Sequence, residues 1–375
     1  MKAIIAAAGT GGHINPGIAI ANKIKEKEKN SEVIFIGTDR GLENDLVPRA
    51  GYELKRIDAH GIERKLNIQN FKNLYATFKS IGEAKEILTR FKPDVVIGMG
   101  GYICVPVVIA AKKLNIPVVL HESNAFPGIA VRLFKNKADK ILVGFEDAKK
   151  RLENKENVVV TGNPIRIKKL ELKKEEKAKI LESVGLKSDK PVVLAFGGSQ
   201  GAQSINRSLL EIIVNKKNKN YQIIWAAGPN QYEDIKIKLK EVNMDIDNLE
   251  NVKILPYIYN MEEMMNACDL VVSRSGAMTI TEISVVGKPA IFIPFPFATE
   301  NHQEYNAKVL ENVGAAKIIL NKDLNSESLE KTISKIVGNK KELEQMGKNT
   351  SKVARKNVED TIYKEIKETI KTIIM

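Results

Sequence analysis

The chain of 375 residues is 43% hydrophobic and 28% charged, which excludes a disordered or fibrous protein and leaves two ordinary domains or one large one. Its net charge of +13 points to nucleic acid, anionic lipid or phosphorylated substrates, and with one Trp and 6% aromatics there is little material for stacking bases, which disfavours nucleic acid. Two cysteines, Cys104 and Cys268, are too far apart for a metal-ligand spacing or a disulfide framework and fit a reducing compartment.

In chain order, residues 2–8 are a short apolar strand running into Gly9-Thr10-Gly11-Gly12-His13. The glycines come too soon for a signal peptide, so this segment reads as the first strand. A second strand covers 32–37. Over 64–81, Phe71, Leu74, Tyr75 and Phe78 share one helical stripe that Ile68 borders, edged by Lys65, Lys72 and Lys79. Asp94-Val95-Val96-Ile97-Gly98 then runs into Gly100-Gly101, and a further strand covers 116–120. The longest apolar candidate, 101–120, is broken by Lys112-Lys113 and falls short of the roughly 20 uninterrupted residues of a membrane span. A basic segment follows with Arg132, Lys135, Lys137 and Lys140 around Leu133 and Phe134.

After Gly162-Asn163-Pro164 the pattern starts again. Segment 168–180 reads as a solvated linker helix. Strand 191–196 runs into Gly197-Gly198-Ser199-Gln200-Gly201, strand 222–228 follows, and Asp269-Leu270-Val271-Val272-Ser273 runs into Ser275-Gly276. Strand 288–293 comes next, and the tail from about 326 is helical and charged. Short β-branched strands alternating with longer amphipathic stretches specify βαβ units around parallel sheets. Two such series predict an α/β protein of two doubly wound, Rossmann-like domains facing across a cleft. The expected division is 1–163 and 164–352, with a C-terminal helix over about 353–375 able to cross back to the first domain.

A Gly-rich turn between a strand and a helix aims unpaired N–H groups at a ligand above the sheet edge, and phosphate suits both those donors and the helix dipole. The dinucleotide fingerprint fails because Ile14 stands where its third glycine belongs. Neither loop supplies the Lys-Ser/Thr pair of a P-loop. The lone D-x-D, Asp245-Ile246-Asp247, lies among Asn243 and Asn248 and reads as polar surface rather than a metal site.

The runs Gly9-Thr10-Gly11-Gly12-His13-Ile14-Asn15-Pro16, Gly98-Met99-Gly100-Gly101-Tyr102 and His121-Glu122-Ser123-Asn124 carry a family resemblance. So do Gly162-Asn163-Pro164-Ile165-Arg166, Gly197-Gly198-Ser199-Gln200-Gly201-Ala202, and Ser273-Arg274-Ser275-Gly276-Ala277-Met278-Thr279 with Glu282. In order, over about residues 1–320, the chain resembles the bacterial N-acetylglucosaminyltransferases that act on undecaprenyl-pyrophosphoryl-N-acetylmuramoyl-pentapeptide, the lipid II-forming MurG family of the GT-B fold. Two departures stand out: Ala8 where the family often has glycine, and His302 where a glutamine is common beside Gln303.

The resemblance implies inverting transfer of GlcNAc from UDP-GlcNAc to the C4 hydroxyl of the lipid-linked MurNAc (lipid I), with no metal or other cofactor. Helix dipoles and basic side chains would take the metal's place at the leaving diphosphate. It implies that Glu282 accepts the ribose hydroxyls and that Ala277, Met278 and Thr279 offer backbone N–H groups to the nucleotide. Ser199 and Arg166 would bind the diphosphate, Ile258 would meet uracil through its backbone, and Asn124 and Gln303 would bind sugar hydroxyls. Thr10, Gly11 and Gly12 complete the expected donor contacts. His13, in the Gly-rich turn, has the pKa range of a general base for the acceptor hydroxyl; its alternative role is to orient the diphosphate or the acceptor. A polyprenyl acceptor without a membrane span implies docking of the first domain, by 64–81 and 132–140, on the anionic cytoplasmic face of the cell membrane as a peripheral protein. Open alternatives are a GT-B transferase with another lipid acceptor, a UDP-GlcNAc 2-epimerase, and a membrane-associated scaffold lobe; an NAD-dependent oxidoreductase fails on the missing third glycine.

Overall fold

The computed structural model describes residues 1–60, 68–153 and 155–374, of which 68–78 and 374 by backbone alone. The stripe Ile68, Phe71, Leu74, Tyr75 and Phe78, with Lys65 and Lys72, therefore lies outside the described side chains. Two compact units emerge: Met1–Arg166 with Arg355–Met375, and Ile167–Ala354.

The first unit holds seven strands: β1 (Lys2–Ala6), β2 (Glu32–Gly37), β3 (Glu53–Arg56), β4 (Val95–Gly98), β5 (Val118–Glu122), β6 (Lys140–Val143) and β7 (Val158–Val160). Their order is β3-β2-β1-β4-β5-β6-β7, and every pairing is parallel. The second unit holds β8 (Val192–Phe196), β9 (Gln222–Ala226), β10 (Val252–Leu255), β11 (Leu270–Ser273), β12 (Ala290–Phe292) and β13 (Ala316–Ile318). Their order, β10-β9-β8-β11-β12-β13, is again all parallel. Central strands such as β8, and β1 after Lys2, are apolar because helices cover both faces. The edge strand β3 keeps a polar Glu-Leu-Lys-Arg sequence and stays largely exposed. Each sheet reverses its strand order once, between β1 and β4 and between β8 and β11. Loops leaving the carboxyl ends of those neighbours diverge, which opens a ligand crevice there.

The C-terminal helix Val358–Ile374 belongs to the first unit. Val358, Ile362 and Ile366 share an apolar cluster with Ile14, Ile18 and Ala21 of helix Gly11–Lys27. Glu28, just past that helix, accepts from the Lys367 ammonium at 2.7 Å, the Tyr363 hydroxyl at 2.8 Å and the chain's own N-terminus at 2.9 Å. The Lys367 bond is the largest influence and holds the Glu28 carboxyl at about 2.

Two local expectations change. Segment 168–180 is not a free linker: its helix is Lys174–Glu182, Leu181 is buried, and Lys177 pairs with Asp269 at 2.6 Å. The stretch before it is bound edge-on, with the Lys168 amide on Glu262 and the Leu170 amide on Asn266, both at 2.8 Å. In the basic segment 132–140, Phe134 is core, while Lys135 and Lys140 are paired with Glu153 and Glu365. Leu133 is the large exposed apolar side chain described in that segment, 59% exposed, and Ile129, just before it on the same helix, is 55% exposed. Among the described residues no helix is long and apolar enough to cross a membrane.

Candidate functional site

In the first unit the turn after β1 opens helix Gly11–Lys27, with Thr10 as its extended N-cap and no side chain capping it. Gly11 and Gly12 are already helical, so His13 is the third helical residue rather than part of the loop. Its ring lies over the turn that leaves β4. A Cβ on Gly100 would meet His13 Nε2 at 3.3 Å, and one on Gly101 would meet Nδ1 at 3.5 Å. Both glycines also have positive φ, +92° and +76°, so no other residue fits without strain. The pairing of β1 with β4 thus creates the bed of the histidine.

Two buried groups end β5 beside this bed. Burial pushes the His121 imidazole down to about 4, against the Gly162 carbonyl, and the nearby His13 lowers it further. His121 is therefore neutral near pH 7. Glu122 is buried and raised by that burial, although it accepts from the Asn124 amide at 2.9 Å, the Asn124 side chain at 3.0 Å and the Gly128 amide at 2.7 Å. Those bonds set the position of Asn124.

In the second unit a cavity of about 550 Å³ opens at the switch between β8 and β11. Gly197, Gly198 and Gly201 line one side, Arg274, Gly276 and Thr279 another, and Phe295, Phe297, Gln303 and Asn321 the rest. The glycine loop is held close to the neighbouring turn: a Cβ on Gly201 would fall 2.1 Å from the Ala227 carbonyl oxygen. Two helices begin at this cavity, Gln203–Val214 and Ala277–Val286, and neither N-cap, Ala202 or Gly276, has a side-chain capping bond. Their first N–H groups, including those of Ala277, Met278 and Thr279, take no side-chain cap, the arrangement that suits an anion at a helix start.

Glu282 follows Thr279 by three positions, on the same helical face. It is half-buried, and among the described residues no donor reaches it. Burial alone raises its carboxyl to about 7. Gln303 accepts from the Phe295 amide at 2.9 Å, and His302 Nδ1 lies 2.6 Å from the Thr299 carbonyl. Ile258 is buried, Ser199 is exposed at the tip of its loop, and Arg166 is exposed as the last residue of the first unit. Of the expected donor contacts in this unit, Thr279 and Gln303 line the cavity; Ser199, Ile258, Ala277, Met278 and Glu282 do not. Asp245 of the D-x-D accepts from the Asp247 amide and the Asn248 side chain, capping a one-turn helix. Among the described residues there is no cluster of metal-ligating side chains.

Sequence reasoning passed over Arg274, Ser204, Asn321, Glu122 and Glu43. Arg274 was within reach, since an arginine beside Ser275-Gly276 ends a strand at the switch point. Glu122 stands in the run His121-Glu122-Ser123-Asn124 without a role assigned to it, and nothing local marks Ser204, Asn321 or Glu43.

Residues 3–143 match the glycosyltransferase family 28 N-terminal domain, and 192–362 the C-terminal domain of the same family. The chain is 46% identical to a UDP-N-acetylglucosamine–N-acetylmuramyl-(pentapeptide) pyrophosphoryl-undecaprenol N-acetylglucosamine transferase of Thermoanaerobacter sp. (strain X514), over 98% of this chain and 99% of that one. It is 42% identical to the transferase of the same name from Acetivibrio thermocellus, over 99% of each. Among solved structures, MurG of Acinetobacter baumannii superposes with a TM-score of 0.78 at 28% identity, covering 98% of this chain and 99% of that one. A UDP-GlcNAc 2-epimerase from Neisseria meningitidis, bound to UDP-GlcNAc, shares the fold at a TM-score of 0.65 and 17% identity, over 98% and 100%.

Proposed function

The chain belongs to glycosyltransferase family 28, among the N-acetylglucosamine transferases of undecaprenyl-pyrophosphoryl-linked N-acetylmuramyl-pentapeptide, and on that premise we propose that it moves GlcNAc from UDP-GlcNAc onto the MurNAc C4 hydroxyl of lipid I in peptidoglycan synthesis. The observation that carries the donor assignment is Glu282, a half-buried carboxylate without a donor at the helix that opens on the cavity. A desolvated carboxylate favours a ligand that brings hydroxyl donors, and the two ribose hydroxyls supply them.

The second unit holds the nucleotide in this reading. Ala277, Met278 and Thr279 present helix N–H groups, Ser199 and Arg166 take the diphosphate, Ile258 meets uracil, and Gln303 takes a sugar hydroxyl. Arg166 and the remaining contacts, Thr10, Gly11, Gly12 and Asn124, belong to the first unit. His13 is the general base. The acceptor oxygen forms its bond to the GlcNAc anomeric carbon as the bond from that carbon to the β-phosphate oxygen breaks. The electron pair leaves on UDP, the hydroxyl proton passes to His13, and the attack inverts the anomeric centre. Helix dipoles at the diphosphate supply charge stabilisation that needs no metal.

The acceptor is lipid-linked, so the first unit meets a membrane surface. Exposed Ile129 and Leu133 on helix Ile129–Phe134, near Lys137, support docking there. The deciding experiment supplies labelled UDP-GlcNAc and purified lipid I and measures label in the lipid phase. Label that stays in the aqueous phase overturns the transferase reading, and conversion of UDP-GlcNAc alone to its 2-epimer would replace it.

A further inference from the structure

The cavity beside the glycine loop has one charged residue in its lining, Arg274, and no acidic one. This is unusual for a half-buried arginine, because a guanidinium drawn partly out of water ordinarily takes a carboxylate partner. Here every protein acceptor is neutral. Nη1 donates to the Ile293 carbonyl at 3.0 Å, the Pro294 carbonyl at 3.1 Å and Asn321 Oδ1 at 3.0 Å, and Nη2 donates to Ser204 Oγ at 3.0 Å. Ser204 in turn donates to Asn321 Oδ1 at 2.7 Å, closing a triangle across the ends of β8, β11 and β13.

That triangle fixes the guanidinium without cancelling its charge. Its bonds use both Nη1 hydrogens and one Nη2 hydrogen. The other edge, Nε and the second Nη2 hydrogen, meets no protein acceptor among the described residues. The Phe295 ring, 5.5 Å from the guanidinium carbon, covers one face and restricts its motion. The result is a held, positively charged fork on a cavity where two helices begin.

We propose that the free Nε–Nη2 edge of Arg274 is a diphosphate-binding fork, and that it receives the charge left on the nucleotide diphosphate when the sugar departs. Two parallel N–H donors match two phosphate oxygens, which a lysine in the same place could not do. The inference rests on the donor reading for its ligand, but the fork's chemistry requires only a diphosphate. Ser204 and Asn321 are positioning residues: they act through the fork that they hold.

The test titrates UDP and uridine against the wild-type protein, Arg274→Met and Asn321→Asp. Arg274→Met removes the fork. Asn321→Asp keeps the triangle's shape, strengthens it as a structural tie, and cancels the guanidinium charge. Both variants are expected to weaken UDP at least tenfold while uridine stays within about twofold. Unchanged UDP affinity in either variant overturns the proposal, as does a parallel loss of uridine and UDP, which would make Arg274 a tie of the fold. Should Arg274→Met fail to fold, Asn321→Asp alone decides. Should the wild-type protein bind neither UDP nor uridine, the donor reading fails, and inorganic pyrophosphate decides the fork: binding that Asn321→Asp abolishes supports it, and no binding overturns it.

Discussion

Glu43 accepts the Gly9 amide at 2.9 Å, joining the turn after β1 to the turn after β2. The same carboxylate takes the Thr38 hydroxyl at 2.7 Å and the Thr38 amide at 3.0 Å. Burial pushes its carboxyl up, yet the Thr38 and Gly9 donors outweigh it and hold it below the usual range. Gly9 therefore has no amide to spare for a ligand phosphate, and a fixed anion sits under the turn that leads to His13. Of the two glycine loops, this one is built to place a side chain rather than to cradle an anion.

Glu43→Gln should accordingly act on His13, the proposed base, and not on the proposed donor site. The amide cannot accept all three donors, which costs about 1.5–3 kcal/mol in the first unit. Turnover is expected to fall about 10–10²-fold from a small displacement of the turn. UDP affinity, a property of the second unit in our reading, should hold within twofold. Equal losses in turnover and UDP binding would show a global fault and remove Glu43 from the positioning of His13.

In the proposed donor site, Glu282 should make binding depend on pH. Ribose hydroxyls donate best to the ionised carboxylate, so UDP-GlcNAc affinity should strengthen as pH rises from 6 to 8 through the carboxyl's value of about 7. UDP-GlcNAc is the right probe because its diphosphate does not titrate in that window. Glu282→Ala should weaken it tenfold or more, since each lost partner costs about 1–3 kcal/mol, and should flatten the pH profile.

The same residue reverses sign for stability. A folded carboxyl raised above its ordinary value holds its proton more tightly in the folded state. Its contribution is complete below about 4.5, the ordinary value, and is lost as pH rises through about 7. Without ligand, Glu282→Gln should thus be more stable than wild type at pH 8, by about 1–2 kcal/mol, and nearly equal at pH 4.5. Thermal melts at the two pH values measure the difference; a gap that does not grow with pH would refute the desolvated carboxylate.

His13→Ala should lower turnover by about 10²–10⁴, the usual worth of a general base, with UDP affinity nearly unchanged. Gly100→Ala should mimic part of that loss, because its Cβ would press on His13 Nε2 from a backbone with φ of +92°. Single-turnover rates with lipid I settle the assignment. A loss of only a few-fold in His13→Ala would give the base role to another group.

The proposed membrane docking draws on the exposed pair Ile129 and Leu133 of helix Ile129–Phe134. Ile129→Asn with Leu133→Asn should cut partition onto anionic vesicles about tenfold or more, as two inserted apolar side chains are lost. Activity on a water-soluble short-chain acceptor should persist. Unchanged cosedimentation would remove this helix from the docking surface.

Much about this protein is written in nearest-neighbour pattern. The apolar β-branched runs at β1, β4, β8 and β11, each followed by glycine, marked two parallel α/β series and the ends where ligands bind, because alternation and turn chemistry are local properties of the chain. Glu282 was singled out by the family resemblance, and it falls three residues beyond the helix turn that opens at Gly276. Tertiary structure decided what meets across strands. Sheet order set β4 beside β1 and so put Gly100 and Gly101 under His13. It also brought Ser204 and Asn321, 117 residues apart, onto Arg274, and returned Val358–Ile374 to the first unit. Phe134, which looked like surface beside its lysines, became core, and the charged stretch after Arg166 became bound to Glu262 and Asn266. In each case the outcome depends on which backbone donors and apolar faces remain unpaired after the sheets have formed. That is a property of the assembled unit, and no window of sequence contains it.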